Sequence, residues 1–333
     1  MDLSGELRRR LGTPRKCDRL VVSPSWKEGC FDSHTVDCPF VFSIGDEYRM
    51  TFVGWDGIGY RTGWARSKDL QTWTKEGLLI DRGPRGSYTE YNVALTSLIR
   101  DNNLRGKGQA RKIDGRYVGT YHCYPSPGLE QGPGAIGLCF SKDLLHWTLD
   151  DPILHAGEGA SWEKGGLYKS WIMEYDSTFY IFYNAKNMTE GGWKEQTGMV
   201  HSPDLLNWKR YEGNPILRNG GPGTFDERFA SDPCVLKDDD VWICSYFGLS
   251  TDGHAREGFA LSRDLLNWRQ DHLPYLDVGP AGSIDSLYAH KPALIHSGSA
   301  LYHFYCAVSR CNEPKIGEIK HSEYRGISYA IWS

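Results

Sequence analysis

A heptapeptide of the form Ser, any residue, Asp, Leu, two further residues and Trp occurs four times in this chain. Nothing else in the sequence constrains the fold as strongly. The copies are Ser67–Trp73, Ser141–Trp147, Ser202–Trp208 and Ser262–Trp268, with starts 74, 61 and 60 residues apart. Repeats at such a period indicate an array of like supersecondary units. Each copy follows a short apolar run, so the unit reads as several β-strands closed by a turn whose Ser and Asp bond local backbone N–H groups. The Leu and Trp are expected to pack against the next unit. The four aspartates, Asp69, Asp143, Asp204 and Asp264, are therefore turn formers and not catalytic acids.

A fifth unit is cut short. Ile327–Ser333 resembles the strand that leads into each heptapeptide, and the chain stops where the Asp-Leu would begin. Four-stranded blades around a central channel are the natural way to stack such units. The expected fold is all-β: a five-bladed propeller of four-stranded antiparallel blades, closed by pairing of the two chain ends. Residues 1–333 read as a single domain, with 1–30 as an N-terminal arm and closing strand. Aromatic residues at 13 % and 38 glycines suit many strands and tight turns.

Composition excludes several function classes. The net charge of −4 shows no basic block, so nucleic acid is not an expected partner. No apolar stretch is long enough to cross a bilayer, so no membrane partner is expected either. The opening Met1–Arg10 carries charge but no apolar core of a secretory leader, which makes a cytoplasmic location the expectation. It reads as a short helix on the propeller or as an arm for homo-oligomer contacts. The nine cysteines contain no C-x-x-C pair, so neither a zinc site nor a disulfide framework is expected.

The chemistry belongs at the channel mouth, where the first strand of each blade begins. Those strands are expected at Asp37–Phe42, Lys107–Arg111, Lys169–Met173, Asp232–Leu236 and His290–Ile295. They aim carboxylates, ammonium groups and an imidazole at one cavity. The repeat, the turns and the Asp-Pro strand starts resemble the five-bladed glycoside hydrolases. That superfamily includes the family 43 arabinanase/xylosidase enzymes, the invertase-like fructosidases, the neoagarooligosaccharide hydrolases and the mannoside phosphorylases.

The resemblance implies a general base at Asp37 and a second carboxylate, which tunes pKa and orients substrate, at Asp232. The acid departs from the pattern, since no Glu-Gly-Pro or Glu-Cys-Pro occurs. His290 takes that place by resemblance to the neoagarooligosaccharide hydrolases, with Glu195, Glu130, Glu163 and Glu227 as competitors. Substrate contacts are expected from His34, Trp55, Lys107, Lys169, Trp171, Asn184, Trp193 and Lys291. Indoles offer a flat apolar body to a sugar's C–H face, and amides and charges bond its hydroxyls.

The reading is a glycoside hydrolase acting on a small glycoside or oligosaccharide, exo-acting and inverting. No cofactor is expected, and a channel cation such as Ca²⁺ is left open. Two alternatives stand beside it. One is a phosphorylase that binds phosphate through Lys107, Lys169, His290 and Lys291. The other is a carbohydrate-binding propeller without catalysis.

Overall fold

Turn chemistry accounts for the heptapeptide. The computed structural model describes residues 3–12, 15–188, 192–311 and 315–332. In the first copy the Ser67 hydroxyl accepts from the N–H groups of Asp69 and Leu70, and Asp69 Oδ1 accepts from Gln71 and Thr72. The Trp73 indole N–H then donates to the Leu70 carbonyl at 3.0 Å. The same aspartate and tryptophan bonds recur at Asp143, Asp204 and Asp264. Each Leu sits in the left-handed region, at φ between 64° and 67°. The turn pins it there, at a cost a non-glycine residue bears only when its surroundings compensate. One expectation is corrected. The tryptophans pack on the preceding unit: Trp268 meets Phe182 of the third unit, and Trp73 meets Phe304 of the fifth.

Five four-stranded antiparallel units follow one another along the chain. The first comprises Thr35–Ile44, Glu47–Trp55, Tyr60–Ser67 and Thr74–Ile80. The second comprises Ala94–Leu98, Arg116–Cys123, Ala135–Ser141 and Trp147–His155. Gly166–Tyr175, Thr178–Asn187, Lys194–Ser202 and the short Lys209–Arg210 form the third. Phe229–Asp238, Val241–Leu249, Ala255–Ser262 and Arg269–Gln270 form the fourth. The fifth contains Tyr288–Ser297, Ala300–Arg310 and Glu323–Trp332, and its outer strand is the N-terminal Arg15–Lys16. The first strands of the units contact one another around a central channel.

A second repeat, not read from the sequence, ties each unit together. The connector entering each inner strand carries an apolar or aromatic residue followed by a buried polar one: Phe31-Asp32, Tyr91-Asn92, Trp162-Glu163, Phe225-Asp226 and Ile284-Asp285. In four units the acid reaches across to the outer strand or the residues beside it. Asp32 meets Lys75, Glu163 meets Arg210, Asp226 meets His272 and Asp285 meets Lys16. The second-strand tyrosines Tyr183, Tyr246 and Tyr305 donate to the last three acids. The Lys16 contact at 2.6 Å binds the start of the chain to its last unit. Replacing Asp226, which is fully buried, by Ala leaves the Tyr246 hydroxyl and the His272 ring without their acceptor. The expected loss is about 2–3 kcal/mol, read as a lower urea midpoint at unchanged slope.

The second unit differs from expectation. Its inner strand is Ala94–Leu98, and Lys107–Arg111 belongs to the segment that follows it. That segment, residues 99–111, runs under the channel. It bonds Ser43 of the first unit through Gly108 and Ala110, and Lys237 of the fourth through Asn102 and Leu104. Arg100 projects from it into the channel, donating to the carbonyls of Val41 and Leu294 and lying over the Phe40 and Trp171 rings. Gly108 makes the close approach possible, since it is left-handed and a Cβ there would fall 2.6 Å from the Arg100 guanidinium. The channel is thus stoppered at this end.

The helix Leu3–Leu11 packs Leu7 and Leu11 into the main core, and Arg8 bonds Asp271 and the carbonyls of Leu273 and Pro274. The apolar side of the N-terminal arm is therefore covered by its own chain. No helix among the described residues is long and apolar enough to cross a membrane. The nine cysteines are free thiols.

Candidate active site

Every inner strand carries a register shift near its start, and three of the five share a further device. Cys38, Asp232 and Lys291 are left-handed, at φ 51°, 56° and 68°, and each stands immediately before a proline. Such bulges turn consecutive side chains toward one side of a strand, and strain of this kind concentrates at functional sites. Asp37, Ser231 and His290 precede the strained residues. Asp37 is thus the structural counterpart of Ser231 and His290, while Asp232 matches Cys38 and Lys291.

Of these side chains, Asp37, Asp232, His290 and Lys291 form the floor of a cavity of about 450 Å³ at the open end of the channel. Aromatic walls rise around it from Trp55, Tyr60, Trp193, Phe229, Phe247 and Tyr288. Lys291 Nζ lies 3.2 Å from Asp37 Oδ2 and 3.9 Å from Asp232 Oδ2, and it donates to the Cys38 thiol. Arg325, from the third strand of the last unit, donates to Asp37 Oδ2 at 2.9 Å and with its other nitrogen to Glu323. Asn184 Nδ2 donates both to Glu195 Oε2 at 2.9 Å and to Asp232 Oδ1 at 3.2 Å. Glu195 also accepts from the Ser231 hydroxyl at 2.6 Å and the Trp193 indole at 2.8 Å. A continuous polar chain therefore runs Asp37–Lys291–Asp232–Asn184–Glu195 across the floor.

The carboxyl groups are driven apart electrostatically. Burial alone would raise Asp37, but Lys291 and then Arg325, with His290 behind them, hold it well below the usual carboxylate range. Glu195 moves the opposite way. Burial, then Glu130 and Asp232, push it up to about 8 against the Ser231 and Asn184 donors. Burial also raises Glu130, which lines the same cavity, with Lys291 opposing. Burial lowers His290 to about 3 against the pull of Asp37, and Lys291 and Arg325 add to the fall. Its Nδ1 lies 3.1 Å from the Cys306 carbonyl, which can only accept, so the ring proton sits on Nδ1.

Most of the sequence-chosen residues meet in this cavity. Asp37, Asp232, Glu195, His290, Lys291, Asn184, His34, Trp55 and Trp193 all line it. Three expected substrate contacts do not. Lys107 is exposed on the segment beneath the channel, because its stretch is not an inner strand. Trp171 is buried in the channel core against Phe40 and Arg100. Lys169 is 3 % exposed and lies outside the cavity lining. Among the competing acids, Glu163 is an outer-strand tether and Glu227 lies outside the cavity lining.

Arg325 was not foreseen. Its only sequence signal is its place at the start of the strand leading to the truncated fifth turn. Asp37, His290 and Cys306 bring one ligand atom each within 4.8 Å of one another. They do not fit Ca²⁺, which takes six to eight oxygens, and Lys291 and Arg325 already occupy the Asp37 carboxylate.

Comparison with known proteins places this geometry. Residues 109–279 match the family described as glycosyl hydrolases family 32 N-terminal domain. No curated protein matches the sequence. Among solved structures, one described as a glycoside hydrolase is 30 % identical, covering 99 % of this chain and 96 % of its own at a TM-score of 0.82. Another, described as a complex of BT0996 and RGII, is also 30 % identical, covering 100 % and 96 % at 0.83. A family 117 glycoside hydrolase of Zobellia galactanivorans shares the propeller-like fold at 13 % identity, covering 96 % and 91 % at 0.64. The family match spans slightly over half of the chain and the two nearer structures almost all of it, so this protein belongs to the family 32 glycosyl hydrolases by its N-terminal-type domain and is a glycosidase.

Proposed function

We propose that the protein hydrolyses the terminal glycosidic bond of a small, uncharged glycoside or oligosaccharide, with Asp37 as general base and Glu195 as general acid. Residues 1–333 would act as one domain, a five-bladed propeller closed by the pairing of Arg15–Lys16 with the last strand. The observation that carries the reading is the opposite displacement of two carboxyl groups on one floor. Glycoside cleavage needs one ionised carboxylate and one proton donor, and environments that push two carboxyl groups apart mark those roles. Asp37 stays charged and Glu195 keeps its proton near neutrality. His290, neutral and with its proton bonded to a carbonyl, is a poor donor, so the acid role passes to Glu195.

The channel is stoppered beneath the cavity, which supports exo action on a chain end entering from the open side. Inversion is favoured because Lys291, Asp232 and Asn184 stand between Asp37 and Glu195. Two carboxyl groups linked only through three intervening side chains accord with the wider separation of an inverting pair. Trp55 and Trp193 would stack on the sugar, and His34 and Asn184 would bond its hydroxyls.

The phosphorylase alternative loses its anion site. Lys107 and Lys169 lie away from the cavity, His290 is neutral, and Lys291 and Arg325 are paired with carboxylates. Asp232 and Glu323 stand beside Lys291 and Arg325 in the same lining, so neither of these cations is left for phosphate or a uronate. The test is sugar release from a panel of aryl glycosides and oligosaccharides, with NMR of the anomer first formed. The expected result is release of a single monosaccharide, inverted, at a rate unchanged by millimolar phosphate. Release that depends on phosphate would overturn the hydrolase, and a first product of retained configuration would overturn the water-activating role of Asp37.

A further inference from the structure

Lys169 is the one sequence-chosen cation whose surroundings the proposed reaction leaves unexplained. It stands on the inner strand of the third unit, opposite Asn184 at the register shift, and is 3 % exposed. Its Nζ has no hydrogen-bond partner and no ion pair among the described residues. The Lys169 charge is felt by Cys38 of the first unit, His122 of the second, and Cys234 and Glu257 of the fourth. It therefore lies inside the fold, within electrostatic reach of three other units. Glu257, the carboxylate in that set, is bonded to His303 instead.

An ammonium group buried without a partner costs several kcal/mol, and proteins avoid this by pairing it. The rest of the lining decides what kind of partner fits. Three further buried polar atoms on the second and third units lack hydrogen bonds: Trp171 Nε1, His122 Nδ1 and the Tyr124 hydroxyl. Trp171 stands two residues from Lys169 on the same strand and packs in the channel core against Phe40 and Arg100. The His122 ring lies 5.9 Å from that of Tyr168, the residue preceding Lys169, and 6.2 Å from that of Tyr124. Indole N–H is a donor only, and the other two groups can donate. On these two units the acceptor left over is Asn184 Oδ1, and Glu257 Oε1 of the fourth unit also lacks a donor without pairing with Lys169. Lys169 thus lacks a counter-charge, and Trp171 on its strand and His122 within its electrostatic reach carry ring nitrogens without partners, which suits a small anion.

We propose that the interior of the fold binds a monovalent anion of halide size at Lys169. The anion would neutralise the buried ammonium, give these ring nitrogens an acceptor and brace the strand pair that carries Asn184. The site is independent of which carboxylates perform the chemistry, since its residues lie outside the substrate cavity apart from the Asn184 side chain.

Crystals of the full chain prepared without chloride and soaked in sodium bromide test this, with anomalous data collected at the bromine edge. The expected result is an anomalous peak in contact with Lys169 Nζ. In solution, bromide or chloride should raise Tm by roughly 2–5 °C over gluconate at equal ionic strength, as binding to the folded state alone requires. K169M and K169Q should lose that response. No bromide peak at Lys169 in the wild type overturns the proposal, and so does a halide response undiminished in both variants. If neither variant folds, the wild-type anomalous map decides by itself.

Discussion

Asp37→Asn lowers kcat by about 10³–10⁴-fold on every substrate the protein turns over, and KM moves far less. The amide cannot take a proton from water, whereas it retains the oxygen that accepts from the Cys38 N–H at 2.8 Å. The fold should survive because neither cation loses its last carboxylate. Lys291 keeps Asp232 at 3.9 Å and Arg325 keeps Glu323 at 2.9 Å. A loss of activity with circular dichroism and Tm close to wild type therefore reports chemistry and not unfolding. Residual activity above about one tenth would remove Asp37 from the reaction. The pH profile adds a second check. Asp37 is held ionised well below the ordinary carboxylate range, so an acidic limb of kcat/KM at mildly acidic pH should not be the protonation of Asp37. If a limb is seen there, it belongs to another group or to the substrate.

What the sequence disclosed follows from where chemical identity is periodic. The heptapeptide is legible because one turn demands Ser, Asp, Leu and Trp at fixed offsets, and the structure reproduces the same bonds at each Asp. Inner strands one, three, four and five are legible through their aromatic partners. The second is not, because the Lys107–Arg111 run mimics its pattern while serving as part of the channel stopper. The connector acids Asp32, Glu163, Asp226 and Asp285 went unread for the opposite reason. Their partners (Lys75, Arg210, His272 and Lys16) differ in kind from unit to unit, so only the geometry shows them to be one device.

At the site, the Pro-flanked strand starts marked Asp37, Asp232, His290 and Lys291, since a strained bulge before proline leaves a local signature. Arg325 has no such signature, and it reaches Asp37 across 288 positions of sequence. Burial is equally invisible in a string of letters. It turns His290 from a plausible acid into a neutral ring and removes Trp171 and Lys169 from the substrate cavity.

Glu195→Gln separates the acid from the base by leaving group. A natural oligosaccharide departs as a basic alkoxide and needs the proton, so its kcat/KM should fall by about 10²–10⁴-fold. An aryl glycoside with a strongly acidic phenol needs little protonation, and its loss should be smaller by at least about tenfold. The direction with pH follows from the same group. Glu195 is active as an acid only while protonated, and its carboxyl is pushed up to about 8, so wild-type activity on the oligosaccharide should hold through neutrality and fall as pH rises past that value. In Glu195→Gln the alkaline limb should disappear on both substrates, because the amide does not titrate. Glu130 supplies the decisive comparison, since it lines the same cavity and is also raised by burial. If Glu195 is the donor, Glu130→Gln removes a neighbouring negative charge and shifts the alkaline limb to lower pH without erasing it. Equal losses for Glu195→Gln on both substrates, with the alkaline limb intact, would transfer the acid role to Glu130.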